Sequence, residues 1–178
     1  MTYTLTVANG LHGHTADNVV LTPEASIRLK VRERIVTVLK AITTGTDYWK
    51  APYEVTKRFV GWMEAKGFPT YMVFVGTGGN TDLAGAPDEY EEEFNVTIKG
   101  VVQDNEDPTA AIEHCIQDIR KAINVDSKSG IAGSLGVLAD QTIQVDGIET
   151  DNGYLSGEGF GFFDFPFRVK IHGDYGVL

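Results

Sequence analysis

At 178 residues, with 42% hydrophobic and 22% charged side chains, the chain has the size and composition of one soluble globular domain with a real core. Its 25 acidic against 15 basic residues give a formal net charge of −10, and the basic residues are dispersed, so nucleic-acid binding over a broad surface is disfavoured. Cys115 is the only cysteine, which excludes an internal disulfide and a multi-thiolate zinc site. No apolar run is long enough to span a bilayer, so no membrane role is expected. The start MTYTLTVANG has neither the basic residues nor the apolar stretch of a secretory signal, and a cytoplasmic product is the simplest reading.

Residues 1–21 alternate weakly at Tyr3, Leu5 and Val7, then pass into GLHGHTADN, which reads as an N-terminal arm or short strand. The rest, 22–178, reads as a single α+β domain. Thr22 offers an N-cap oxygen and Pro23 a first helical position. Ile27, Val31, Ile35, Val38, Leu39 and Ile42 then recur at helical spacing, and the helix is expected to end near residues 43–45. YEVTKRFV at 53–60 reads as a first core strand. TYMVFVG at 70–76 is apolar at nearly every position and reads as a strand covered on both faces. The Gly-, Asn-, Asp- and Pro-rich segment 76–89 reads as a long loop.

In EYEEEFNVTIKG, Phe94, Val96, Ile98 and Val102 share one face of a strand, and Glu93, Asn95, Thr97 and Lys99 the other. Asp107 can cap the next helix, with Pro108 in its first position and Ile112, Ile116, Ile119 and Ile123 as its apolar stripe. Residues 125–140 read as irregular. QTIQVDGIET reads as a strand whose phase slips at Asp146 and Gly147, consistent with a bulge. FDFPFRVKI places Phe163, Phe165, Phe167, Val169 and Ile171 on one face. Pro166, which lacks a backbone donor, predicts an edge or locally bulged strand. The core order is α-β-β-β-α-β-β: a mixed or mainly antiparallel sheet with two amphipathic helices on one face.

No catalytic constellation emerges, and the expectation is a non-enzyme without cofactor, metal or catalytic residues. Glu89, Glu91, Glu92 and Glu93 alternate across a strand, and Asp104, Glu106 and Asp107 lie roughly 25–30 Å away at its other end. DNEDP lacks the glycine turn and distal glutamate of a calcium loop. Solvated acidic surface is the favoured reading of these acids, with a metal cage, or acids lining a contact or channel, as alternatives. His12 and His14 could form a metal pair, but no third and fourth ligands lie nearby in sequence. GTGGN lacks the Gly-Lys-Ser/Thr ending of a phosphate loop. His114 and Cys115 are helix neighbours that point apart, and Cys115 reads as a small core residue.

The stretch EFNVTIKGVVQDNEDPTAAIEHCIQDIRKAI, preceded by the helix IRLKVRERIVTVLKAI and a strand pair, resembles the centre of the tail terminator (tail completion) proteins of long-tailed bacteriophages. The likeness runs from about Ile27 to Ile171 and rests on the order and texture of elements, with no invariant chemical motif. It implies a structural virion protein of mixed α/β fold that forms a homo-oligomeric ring, usually a hexamer. Such a ring caps the tail tube, ends its growth and joins it to the neck connector protein, and DNA only passes through the lumen. The product would act in the virion at the head–tail junction, after assembly in the host cytoplasm. The acids would then be assembly or lumen charges that repel passing DNA, and the arm 1–21 and the segment 76–89 the candidate contacts. Two other readings stand beside it: another neck, head-closure or tail tube protein, or a small metal-dependent enzyme using His12 and His14.

Overall fold

The computed structural model describes residues 3–4, 20–21, 26–45, 47–82, 89–129, 141–144, 148–151 and 159–174. Two short strands, β1 (Tyr3–Thr4) and β2 (Val20–Leu21), pair antiparallel in a small sheet of their own. They are followed by α1 (Ile27–Lys40), β3 (Glu54–Thr56), β4 (Thr70–Asp82), β5 (Glu89–Gln103), α2 (Pro108–Ser129), β6 (Gln141–Gln144), β7 (Glu149–Asp151) and β8 (Phe160–Asp174). The main sheet has six strands in the order β3-β4-β5-β8-β6, with β7 also on β8. It is mixed: β3 and β4 are parallel, and the other pairs are antiparallel. The α+β class and both helices of the expected order are present.

Both helices pack on one sheet face because their apolar stripes match its inward rows. Val31, Ile35 and Leu39 of α1 and Ile112, Ile116 and Ile119 of α2 are buried in one cluster. The same cluster takes Tyr71 and Val73 from β4, Phe94, Val96 and Ile98 from β5, and Phe163, Phe165 and Phe167 from β8. Asp107 caps α2 as expected, its Oδ1 accepting the Ala110 N–H at 2.9 Å, with Pro108 in the first helical position. Thr22 and Pro23 lie outside the described residues. The described α1 begins at Ile27 after Ser26, whose side chain makes no capping bond.

Several boundaries differ from the sequence reading. β3 covers only Glu54–Thr56. The chain then leaves the sheet, and Val60 drops with Met72 and Val101 into a second, smaller core on the face opposite the helices, joined by Trp62, Phe68 and Phe162. This is how the apolar β4 becomes covered on both faces near its start. The segment 76–89 is not a long loop: residues 76–82 continue β4, Glu89 opens β5, and only 83–88 lie outside the described residues. Glycine lowers strand propensity, but the ladder with the acidic strand holds these residues, from Gly78 opposite Phe94 to Asp82 opposite Tyr90. α2 continues to Ser129, past the boundary expected at 125.

β8 is not an edge strand. It lies between β5 and the pair β6 and β7. Pro166 is accommodated because β7 covers positions 162–164 and β6 covers 167–170, so the missing N–H falls at the gap between them. The expected phase slip in QTIQVDGIET is therefore a break between two strands, and Asp146 and Gly147 lie outside the described residues.

Gly100 marks the tightest crossing in the core. A Cβ there would stand 2.1 Å from the Phe163 ring, which is 2% exposed and has no room to retreat. Ile116→Ala is expected to cost ~2–5 kcal/mol and Gly100→Ala ~1–3 kcal/mol in urea unfolding, the first by a cavity and the second by overpacking. Losses below about half a kcal/mol, the range of surface substitutions, would contradict this packing.

Candidate assembly surface

The sheet face away from the helices divides in two. Around the start of β4 it is covered by the segment 57–69, where Trp62 and Phe68 pack on Phe160 at centroid distances of 5.2 Å. Phe59 and Met63 of that segment remain 67% and 80% exposed. Farther along, β5 and β8 present their outward rows directly, and there Glu91 and Glu93 are found.

Those acids are paired. Glu91 meets Lys170 at 2.8 Å and Glu93 meets Arg168 at 3.0 Å, each reaching diagonally to the neighbouring strand. Lys99 pairs with Asp164 directly opposite. Three carboxylates thus face three cations, so these acids sit in a half-exposed row of ion pairs. Glu92 points the other way. It is 5% exposed beneath α1, where Arg28 binds its carboxylate and also stacks over the Phe94 ring at 5.5 Å. The alternation of β5 therefore sorts the neighbouring Glu91, Glu92 and Glu93 onto opposite faces, and among the described side chains no two glutamates converge as a catalytic pair.

Asp104 and Asp107, at the far end of β5, serve the backbone. Asp104 Oδ1 accepts the N–H groups of Glu106 at 2.9 Å and Asp107 at 3.1 Å. The Asp107 and Glu106 amides hold the exposed Asp104 carboxyl below the usual aspartate range. The resulting stabilisation is present above the ordinary aspartate pKa and is lost as pH falls through the lowered one. Gly159 lets the start of β8 approach this turn. Its φ is +72°, its O accepts the Asp104 N–H at 2.8 Å, and a Cβ there would meet Asp104 O at 2.4 Å.

His114 and Cys115 do not meet, as expected for helix neighbours. His114 lies on the solvent side of α2, stacked on Trp49 with centroids 5.4 Å apart. Cys115 is fully buried and faces the Tyr71 hydroxyl, and burial pushes its thiol up to about 12. Sequence inspection singled out neither Asp118 nor Lys121, which tie the 44–51 segment to α2. The buried Asp118 carboxylate accepts the Trp49 N–H at 3.0 and 3.1 Å and the Lys50 N–H at 3.3 Å, and Lys121 Nζ donates to Asp47 O at 2.8 Å. A buried aspartate between Gln117 and Ile119 carries no sequence signal until its backbone partners are known.

A shallow polar groove of about 340 Å³ runs where β4 passes β5 and β8, lined by Thr77, Gly78, Gly79, Glu93, Asn95 and Arg168. Among the described residues no group of three or more His, Cys, Asp and Glu could hold a metal ion, and no helix is long and apolar enough to cross a membrane. His12 and His14 lie outside the described residues. No protein-family model matches the chain, and no curated protein matches it significantly.

Beyond residue 72, β4 has β5 on one side and, among the described residues, no strand on the other, because β3 reaches only Thr70–Met72. On the opposite side of the sheet β6 pairs with β8 and, among the described residues, leaves its outer edge open. The surface therefore offers balanced charge pairs, a polar groove and two open edges.

Two outcomes test this description. Removing Arg28 should strand a buried carboxylate, so Arg28→Met is expected to cost ~2–3 kcal/mol in urea unfolding, below the full 3–5 because Arg28 is one-third exposed. Adding Glu92→Leu should recover most of that, whereas Glu93→Gln on the half-exposed ladder should cost about 1 kcal/mol or less. Separately, Cys115 should resist a thiol reagent at pH 8 in the folded protein and react stoichiometrically in denaturant; rapid native labelling would contradict its burial.

Proposed function

We propose that the protein is a tail-terminator-type ring subunit of a long-tailed phage. The observation that carries this reading is the stretch from Phe94 to Ile123. There a long half-buried strand, an aspartate-capped acidic turn and an isoleucine-striped helix follow one another in the order that the resemblance implies. The preceding helix α1 and the β3–β4 pair are consistent with that order, and three closing strands, β6 to β8, stand where it has two. In this reading the subunits form a homo-oligomeric ring, expected to be a hexamer, which caps the tail tube protein and meets the neck connector protein. DNA only passes through the lumen, and the site of action is the head–tail junction of the virion.

Charge shapes how such a ring assembles. At a net charge of −10, free subunits repel one another, so a tube end acting as template or added salt favours closure. The pairing of Glu91, Glu93 and Asp164 with cations keeps the outer sheet face from adding to that repulsion. The test is negative-stain imaging of the purified protein with and without tail tubes polymerised from the tube subunit of the same virus. Rings seated on tube ends, promoted by salt, are expected. A protein that stays monomeric at every salt concentration and ignores tubes would overturn the reading.

A further inference from the structure

The two open edges sit at the same level of the sheet. Thr142 of β6 lies opposite Val169 of β8, Val169 opposite Phe94 of β5, and Phe94 opposite Gly78 of β4. One row of residues thus crosses four strands and ends at an open edge on each side. We infer that neighbouring copies of this chain join edge to edge, the outer edge of β4 over residues 73–82 pairing with β6 of the next copy. This inference rests on the ring reading above and names the contact that would build the ring.

Three observations support this occupant. First, the edge of β4 is long and lacks the lysines and prolines that commonly block edge pairing. Residues 73–82, VFVGTGGNTD, contain no lysine, arginine or proline, and among the described residues no helix or loop hydrogen bond reaches their free side. One register shift, between Val75 and Gly78, twists the strand without pairing its edge. Second, β6 has no charged residue or proline in its sequence QTIQ, and among the described residues no strand pairs with its outer edge. Third, the strand senses fit. β4, β5, β8 and β6 alternate in direction, so β4 and β6 run opposite ways. Rotation about a ring axis carries each strand onto a copy pointing the same way along that axis. The next copy's β6 therefore meets β4 antiparallel, the more stable pairing. The two edges are different surfaces, as a head-to-tail contact requires, and an even number of alternating strands lets the pattern close without a parallel mismatch.

Backbone pairing also suits the local composition. The exposed stretch 76–79 is Gly-Thr-Gly-Gly, which offers little side chain to bury but leaves its N–H and C=O groups accessible. Hydrogen bonds along an edge depend little on side-chain identity, and glycine lets another backbone approach closely.

Site-directed cross-linking tests the contact. A side chain at position 79 meets nothing within 4 Å, so Gly79→Cys is compatible with the fold. The register places positions 141 and 143 beside Lys170 and Arg168, on the same sheet face as Gly79, which lies opposite Glu93. Cys115 is buried and silent. Gly79→Cys protein is mixed with Gln141→Cys or Ile143→Cys protein at the salt concentration where wild type assembles, then treated with a short bis-maleimide. Assembly is followed in parallel by mass photometry.

A cross-linked dimer is expected in at least one mixture and in no single variant alone. Each double variant that matches the register should give a ladder of oligomers. Dimers from Gly79→Cys alone would show that β4 pairs with itself and would overturn the head-to-tail contact. Wild type that assembles while no mixture cross-links would overturn the strand pairing and leave the ring reading standing. Wild type that remains monomeric at every salt concentration and with tube ends present would overturn both.

Discussion

The β5–β8 ladder is the constraint on which the rest of the molecule depends. Every residue of Glu89–Gln103 has a register partner in Phe160–Asp174, so both strands are held at once along their whole length. The ladder fixes which residues face α1 and α2. Phe94, Val96 and Ile98 from one strand and Phe165, Phe167 and Val169 from the other form a continuous apolar floor on which both helices rest. A slip of one residue would turn that floor to solvent and bury the charged row. The cost of such a slip, about 1.5–3 kcal/mol for each large apolar side chain exposed, specifies the register far more strongly than the ion pairs do.

The ion pairs are consequences of that register. Glu91, Glu93 and Lys99 project to the outer face because they alternate with buried neighbours, and β8 supplies Lys170, Arg168 and Asp164 at matching distances. Each exposed pair contributes less than about 1 kcal/mol. Their greater effect is local electrostatic balance, since three carboxylates and three cations offset one another there in a chain of net charge −10. In the proposed ring, such balance limits repulsion between neighbouring copies, which acts over roughly 8–10 Å at moderate salt.

What sequence alone could reveal follows the same physics. The isoleucine stripe of α2, the Asp107 cap and the alternation of β5 were legible because each depends on spacing within a short window. Pro166 in an interior strand was not, because its tolerance depends on a gap between two partner strands that no local pattern reveals. The glycine-rich residues 76–82 read as a loop because their intrinsic preference opposes a strand, and a non-local ladder overrides that preference. The acidic run read as solvated surface, and its cations lie 64–79 residues away in the chain. Residue type foretold their charge, and only the fold supplied their partners.

Helices seal one sheet face, ion pairs line part of the other, and among the described residues β4 beyond Met72 and β6 each have one unpaired edge. Assembly through those edges is the proposal on which the ring contact rests. Amide hydrogen exchange compared between the free and the assembled protein is the decisive experiment. Amides within residues 73–82 and Gln141–Gln144 are expected to become protected on assembly, while those of α1 and α2, already packed on the sheet, change little. Protection that appears only on helix surfaces or on the segment 57–69, with both strand edges exchanging as fast as in the free subunit, would contradict it.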